Sequence, residues 1–376
     1  MISSAQVYIF MLASIASVFA FLNIKYSRFF RYIPAVVIIY AFCMFLSWVG
    51  AFEKNSDIDA IYETSMKNLL PAMLFLILLQ VNIKDFFKLS KKLIIAYLLA
   101  LFSIAFSFMV VSYIFGFNKE MAAAFGALSG SWMGGVANMV AVGAALGVSK
   151  TSFGYALIVD SVNYTLWIMF LLFLTPFASY FNKFTASSQM ASNLSQIGCS
   201  CTIGAKKYWF LTILSVLVAL GVNVVAQSGF VILNYTTTTV IMATIIGILA
   251  SFTRLSKVNG SSEIATTMLY LLIALIGSKA YFEDFSGVGV YVFAGFCILL
   301  LHATLMVVGA KIFKLDLFSV AVASLANIGG VASASILAAS YNKALAGIGA
   351  LMAIMGYIIG TFGGLAVGEI LIGMAE

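Results

Sequence analysis

Twelve apolar runs, most of them long enough to cross a bilayer, alternate with short polar connections along this 376-residue chain. Ten of the runs fall at 5–22, 33–51, 68–82, 93–115, 152–178, 207–225, 236–253, 264–280, 288–310 and 344–372, and two more at 120–147 and 318–341. A helix needs about 20 apolar residues to span the hydrocarbon core, and lipid leaves no alternative to internally satisfied helices or closed barrels. The chain is 63% hydrophobic and 9% charged, with a mean hydropathy of +1.10. A soluble domain carries about 25% charged residues, so the composition specifies an all-α polytopic membrane protein. The net charge of +7 does not point to nucleic acid, because the basic residues sit in short connections where they set orientation. No polar stretch is long enough to form a soluble domain, and residues 5–22 read as a retained span because no basic segment precedes them.

Two of the runs carry nearly the same motif. Ser129-Gly-Ser-Trp-Met-Gly-Gly-Val-Ala137 and Ser324-Leu-Ala-Asn-Ile-Gly-Gly-Val-Ala332 start 195 positions apart and agree at five of nine places. The same offset carries 93–115 onto 288–310 and 152–178 onto 347–373. The chain therefore reads as a tandem duplication: a first repeat over 1–180, a polar cytoplasmic linker over 181–206, and a second repeat over 207–376.

Lysine and arginine decide the topology. If all twelve runs cross, the basic residues divide evenly between the two faces. If 120–147 and 318–341 instead enter and return on one side, fifteen fall on one face: Lys25, Arg28, Arg31, Lys84, Lys88, Lys91, Lys92, Lys183, Lys206, Lys207, Arg254, Lys257, Lys311, Lys314 and Lys343. Five fall on the other, Lys54, Lys67, Lys119, Lys150 and Lys279, together with the acidic loop 53–63. The positive-inside rule favours the second arrangement. It gives two inverted repeats, each with five transmembrane helices plus one glycine-broken segment, and both termini outside. The broken segments are re-entrant hairpins or, alternatively, crossing helices unwound at their glycines. Either way, irregular backbone at membrane depth belongs inside protein or beside a wet cavity.

Asp160 is the residue most suited to chemistry. It lies about 12 Å of helix into its span at 1.5 Å per residue, with Asn163 one turn on. A carboxylate at that depth costs about 2.5–3.5 kcal/mol, which marks an ion or proton site or an acid bonded to a neighbouring helix. Asp160, Asn163 and Asn138 are the expected ion ligands. The expected solute site draws on Ser129, Gly130, Ser131, Trp132, Gly134, Gly135 and Asn138 in the first broken segment, and on Asn327, Gly329, Gly330 and Ser333 in the second. Ser324 and Ser335 lie in the same stretch. Freed N–H groups at such breaks suit an anion and freed carbonyls a small cation, although glycine-rich runs also serve as packing surfaces. The site is asymmetric, since the offset takes Asp160 to Met355 and Asn163 to Ile358. His302 reads as a packed, hydrogen-bonded residue, and Lys279, Glu283, Asp284 and Glu369 as interface anchors. Cys199 and Cys201 lack further ligands, so no metal centre is expected. No catalytic motif or nucleotide-binding segment is present, so any transport is driven by an ion gradient rather than by an enzymatic activity.

Gly130-Ser-Trp-Met-Gly-Gly-Val-Ala-Asn138, Asp160-Ser-Val-Asn163 and Ala326-Asn-Ile-Gly-Gly-Val-Ala332 resemble the YjcL-like family of bacterial membrane proteins of unknown function. The likeness runs over nearly the whole chain. More remotely, the repeat with broken helices is similar to the sodium/glutamate symporter, bile-acid symporter and cation/proton antiporter group. The resemblance implies a carrier in the bacterial cytoplasmic membrane. The residues themselves, rather than the family, suggest its partners: the lipid bilayer, a small organic solute, a coupling cation (Na⁺ or H⁺) and, as one option, a second copy of the chain in a homodimer. The alternatives are a cation/proton antiporter without organic solute and a membrane-embedded sensor or enzyme. Antiporters of the remote group often pair two acids in one helix. The Asp160…Asn163 pattern departs from that and favours symport.

Overall fold

The computed structural model describes residues 2–30, 35–53, 55–79, 89–187, 204–228, 235–258, 260–279, 287–342 and 345–375. The core of the expected linker, with Cys199 and Cys201, lies outside the described residues, as do Arg31, Lys54, Lys84, Lys88, Glu283, Asp284 and Lys343.

Helices follow one another along the chain: α1 (Ala5–Lys25), α2 (Ala35–Trp48), α3 (Ser56–Leu79), α4 (Lys91–Phe115), α5 (Lys119–Gly134), α6 (Val136–Ala145), α7 (Lys150–Leu174), α8 (Ala178–Thr185), α9 (Ala205–Gln227), α10 (Tyr235–Ser251), α11 (Ser261–Ser278), α12 (Val288–Phe313), α13 (Leu317–Ile328), α14 (Gly330–Tyr341) and α15 (Ala346–Met374). Seven helical stretches among the described residues are long and apolar enough to cross a membrane: α1, α4, α7 with its continuation to Thr185, α9, α11, α12 and α15. The protein is thus an all-helical, multi-pass membrane protein. The segment expected as an acidic loop over 53–63 is helical from Ser56. Hydropathy sees only the apolar part of a helix, and Asp57 and Asp59 favour its N-terminal turn by opposing the helix dipole.

The chain forms two compact units, each drawing on both sequence halves: residues 1–80, 143–161 and 202–288 in one, and 81–142, 162–201 and 289–376 in the other. In the first unit α3 is the central element, with α9, α10 and α11 packed on it. From Leu70 to Leu79 every α3 residue is buried, as an all-round apolar helix must be. Tyr8 of α1 meets Ser278 of α11 hydroxyl to hydroxyl at 2.5 Å. The only α1 residues buried are Tyr8, Leu12 and Ala16, a stripe at four-residue spacing, while Phe10, Phe21 and Ile24 stand outward into the lipid.

In the second unit α5 and α13 are the buried elements. Every residue of α13 is buried, as is every residue of α5 from Ala122 on. Each opens on an Asx cap: Asn118 Oδ1 accepts from Met121 N at 2.8 Å and Asp316 Oδ1 from Ser319 N at 2.7 Å. α15 runs beside α5, α13 and α14. On α12 the face with Ala294, Ile298, His302 and Met306 points inward and that with Phe293, Leu300 and Val307 outward.

Candidate functional site

Both glycine pairs break their helices. α5 stops at Gly134, Gly135 takes φ +89°, and α6 starts at Val136. α13 stops at Ile328, and Gly330 takes φ +75° as α14 starts. A positive φ costs an L-residue energy that glycine escapes. At the first break the chain reverses. A Cβ on Gly130 would lie 2.9 Å from Val142 Cγ2 and 3.2 Å from the Asn138 carbonyl oxygen. A continuous helix would hold residues 130 and 142 about 18 Å apart, so α5 and α6 form a helical hairpin.

The hairpin is locked to α15 through bare backbone. A Cβ on Gly356 would stand 3.1 Å from Gly134 Cα, one on Gly360 2.7 Å from the same atom, and one on Gly364 2.6 Å from Gly130 Cα. Gly130 and Gly134 thus face Gly356, Gly360 and Gly364, the close approach that small residues four apart permit between membrane helices. Asn138 closes the break. Its Nδ2 donates to the Gly134 carbonyl at 2.8 Å and to the Gly356 carbonyl at 3.3 Å, and its Oδ1 accepts from Thr361 Oγ1 at 2.7 Å.

The other residues expected in the first segment are buried beside it. Ser129 Oγ donates to the Gly126 carbonyl at 2.7 Å, Ser131 is buried, and the Ser131 carbonyl accepts from Gly135 N at 2.6 Å. Trp132 is wholly buried and meets Phe108 edge to face at 5.4 Å.

In the second segment, Ser333 Oγ donates to the Gly329 carbonyl at 2.6 Å. Tyr164 of α7 stands so close to Gly329 that a Cβ there would lie 2.7 Å from its ring. Asn327 is fully buried and its Nδ2 donates to the Ala323 carbonyl at 2.9 Å, but its Oδ1 has no hydrogen-bond partner among the described residues. A buried amide oxygen without a donor costs about 1–3 kcal/mol.

Asp160 is partly exposed and Asn163 buried, one turn apart on α7. Asn163 Nδ2 donates to the Val292 carbonyl of α12 at 3.2 Å. Asp160 falls within the first compact unit, and Asn163, with both glycine breaks, within the second.

Sequence reasoning missed a chain of side chains in the second unit. Ser103 Oγ donates to the Ala100 carbonyl at 2.9 Å and lies 2.7 Å from His302 Nδ1. His302 Nε2 lies 2.8 Å from Ser324 Oγ, to which Trp167 Nε1 donates at 2.9 Å. With the Ser103 proton committed to Ala100, Nδ1 carries the imidazole hydrogen and Nε2 accepts from Ser324. This neutral tautomer satisfies every member, so His302 ties α4 and α12 to the second broken segment. Thr361 was the other omission, and its signal was a lone hydroxyl between Gly360 and Gly363. No group of three or more His, Cys, Asp or Glu side chains that could hold a metal occurs among the described residues.

A family model described as "Protein of unknown function (DUF819)" matches residues 9–374. The chain is also 25% identical to the "Uncharacterized membrane protein YjcL" of Bacillus subtilis (strain 168) over 402 aligned positions, covering 98% of each.

Proposed function

Because the chain belongs to the DUF819 family, whose description assigns no activity, its role rests on its own residues, and we propose that it is an ion-gradient-driven secondary transporter. In this reading a small organic solute, an anion or an amino-acid-like molecule, crosses the bacterial cytoplasmic membrane by alternating access, coupled to Na⁺ or H⁺. The observation that carries the reading is the pair of glycine breaks within buried helices, one of them closing a hairpin, the other flanked by the unpartnered Asn327 oxygen. Carriers build their sites from discontinuous helices of this kind, where freed backbone groups replace a solute's or ion's hydration.

Helix ends support the duplicated architecture. Shifted by 195, α5 covers 314–329, against 317–328 for α13. α6 covers 331–340, against 330–341 for α14, and α7 starts at 345, against 346 for α15. With both broken segments re-entrant, each repeat crosses five times and the two are inverted, with both termini outside.

Asp160 is the coupling-ion residue, assisted by Asn163. Asn327 and the second glycine break face the solute, and Asn138 and Ser333 brace the two breaks. Purified protein in proteoliposomes, given imposed Na⁺ or pH gradients, tests this. Gradient-driven uptake of a solute supports the reading. A pH change that requires no organic solute would replace it with cation/proton exchange.

A further inference from the structure

The first unit contains a cavity of about 200 Å³, walled by Leu70, Pro71 and Ala144 among others, with Glu63, Lys67 and Tyr235 around it. It sits where α3 carries Pro71 within its length. Pro71 has no N–H, so the Lys67 carbonyl one turn earlier loses its helical donor. Asn223 of α9 supplies the replacement: its Nδ2 donates to the Lys67 carbonyl at 3.1 Å and to Asn68 Oδ1 at 3.0 Å, while its Oδ1 accepts from Tyr235 OH at 2.8 Å. One carboxamide thereby fixes α9 and α10 against the proline-bearing stretch of α3 beside the cavity. Leu70 and Pro71 make its floor apolar. Its charges are of both signs: Glu63 and Lys67 lie 3.7 Å apart, both well exposed, and Lys67 Nζ also stands 5.7 Å from the Tyr235 ring centre. Lys150 and Lys279 lie 5.6 and 5.8 Å from the ring centre of Tyr62, another wall residue, and Lys279 pairs with Asp59.

We propose that this cavity binds a free amino acid with an apolar side chain. Its carboxylate would meet Lys67, its ammonium Glu63, and its side chain Leu70 and Pro71. Pockets for drug-sized ligands run to roughly 300–1,000 Å³, so only a small solute fits here. A simple anion would face Glu63, and a simple cation would face Lys67 with Lys150 nearby. A zwitterion satisfies both, and an apolar floor rewards a hydrocarbon side chain. A metal ion would find one carboxylate where hard cations want six or more oxygens. The charge bias of the connections puts these helix ends on the outer face, where a solute taken up would first arrive. The cavity's purpose, though not its chemistry, rests on the carrier reading.

Thermal unfolding of the full chain in detergent tests this with L-leucine, leucinamide (no carboxylate), isocaproate (no ammonium) and phosphatidylethanolamine. L-leucine raises the unfolding temperature in a saturable way, and the two truncated analogues require at least tenfold higher concentration. Lys67→Gln and Glu63→Gln, both at exposed side chains and tolerated by the fold, each raise the half-saturating L-leucine concentration about tenfold, the loss of one charge-assisted bond. No response to L-leucine, L-valine, L-methionine or L-phenylalanine overturns the proposal, as does a response indifferent to both substitutions or one given by phosphatidylethanolamine alone. Binding without uptake in proteoliposomes leaves the cavity standing and removes the amino acid as the carried solute. Amino-acid uptake unaffected by Lys67→Gln and Glu63→Gln does the reverse.

Discussion

Asn138 spends its carboxamide on the Gly134 and Gly356 carbonyls and on Thr361, so removing it orphans several buried polar groups at once. Asn138→Leu is expected to destabilise the folded state by about 2–4 kcal/mol, as read by unfolding in detergent. Thr361→Val removes one donor and costs about 1 kcal/mol. In the double variant the Thr361 contribution vanishes, because Asn138 Oδ1 is no longer there to receive it; additive losses would show that the two do not act together. The sequence singled out Asn138 as an ion and solute ligand, because an amide in a glycine-rich apolar run is costly without a partner; the structure gives that amide to two carbonyls and a hydroxyl. The hydroxyl partner was not legible, since Thr361 lies 223 positions away and only the fold brings them together. The same applies to Ser103, Trp167 and Ser324 around His302. Each is an ordinary residue of an apolar helix until the imidazole between them shows what it is for.

At the level of helices, the glycines of α15 are not interchangeable. Gly360 faces Gly134 Cα, which belongs to backbone and cannot yield, while Gly373 faces open space. Gly360→Leu is expected to cost at least 1–3 kcal/mol by over-packing, and Gly373→Ala to be neutral or to stabilise by about 0.5–1 kcal/mol through lower unfolded-state entropy. Comparable unfolding temperatures for the two variants would contradict the interlocked packing of α5 and α15. Helix existence and the two breaks followed directly from hydropathy and from paired glycines. The start of α3 did not, because its first turns are polar and carry Asp57, Asp59 and Glu63. The hairpin was favoured by the charge count but not by the glycines, because a glycine pair permits both a reversal and a bend. The choice was made by α15, whose own glycines receive the returning arm.

For the whole molecule, the sequence divides at 181–206, whereas compactness divides it into two units that each use both halves. A linear pattern reports which segments are copies, but not which copies pack together, because packing depends on complementary surfaces far apart in the chain. Two whole-protein outcomes follow from the proposed mechanism. Asp160→Asn is expected to fold but to lose ion-coupled uptake, along with any thermal stabilisation by Na⁺. A variant that keeps its full Na⁺ response removes Asp160 from the coupling site. Lys207→Cys, in a background lacking the four native cysteines, is expected to resist membrane-impermeant thiol reagents in intact cells, because the charge bias puts it inside. Labelling from outside would reverse the orientation.

The glycine contact between α5 and α15 also gives the protein an internal ruler. Gly130 and Gly134 meet Gly356, Gly360 and Gly364 with no room for a Cβ, so a slide that carried a bulkier residue into the contact would clash. Spin labels on the outward ends of this pair would report one sharp distance, the same with or without ion and solute. Any broadening or shift measured from either label to a third position then belongs to the part that moves.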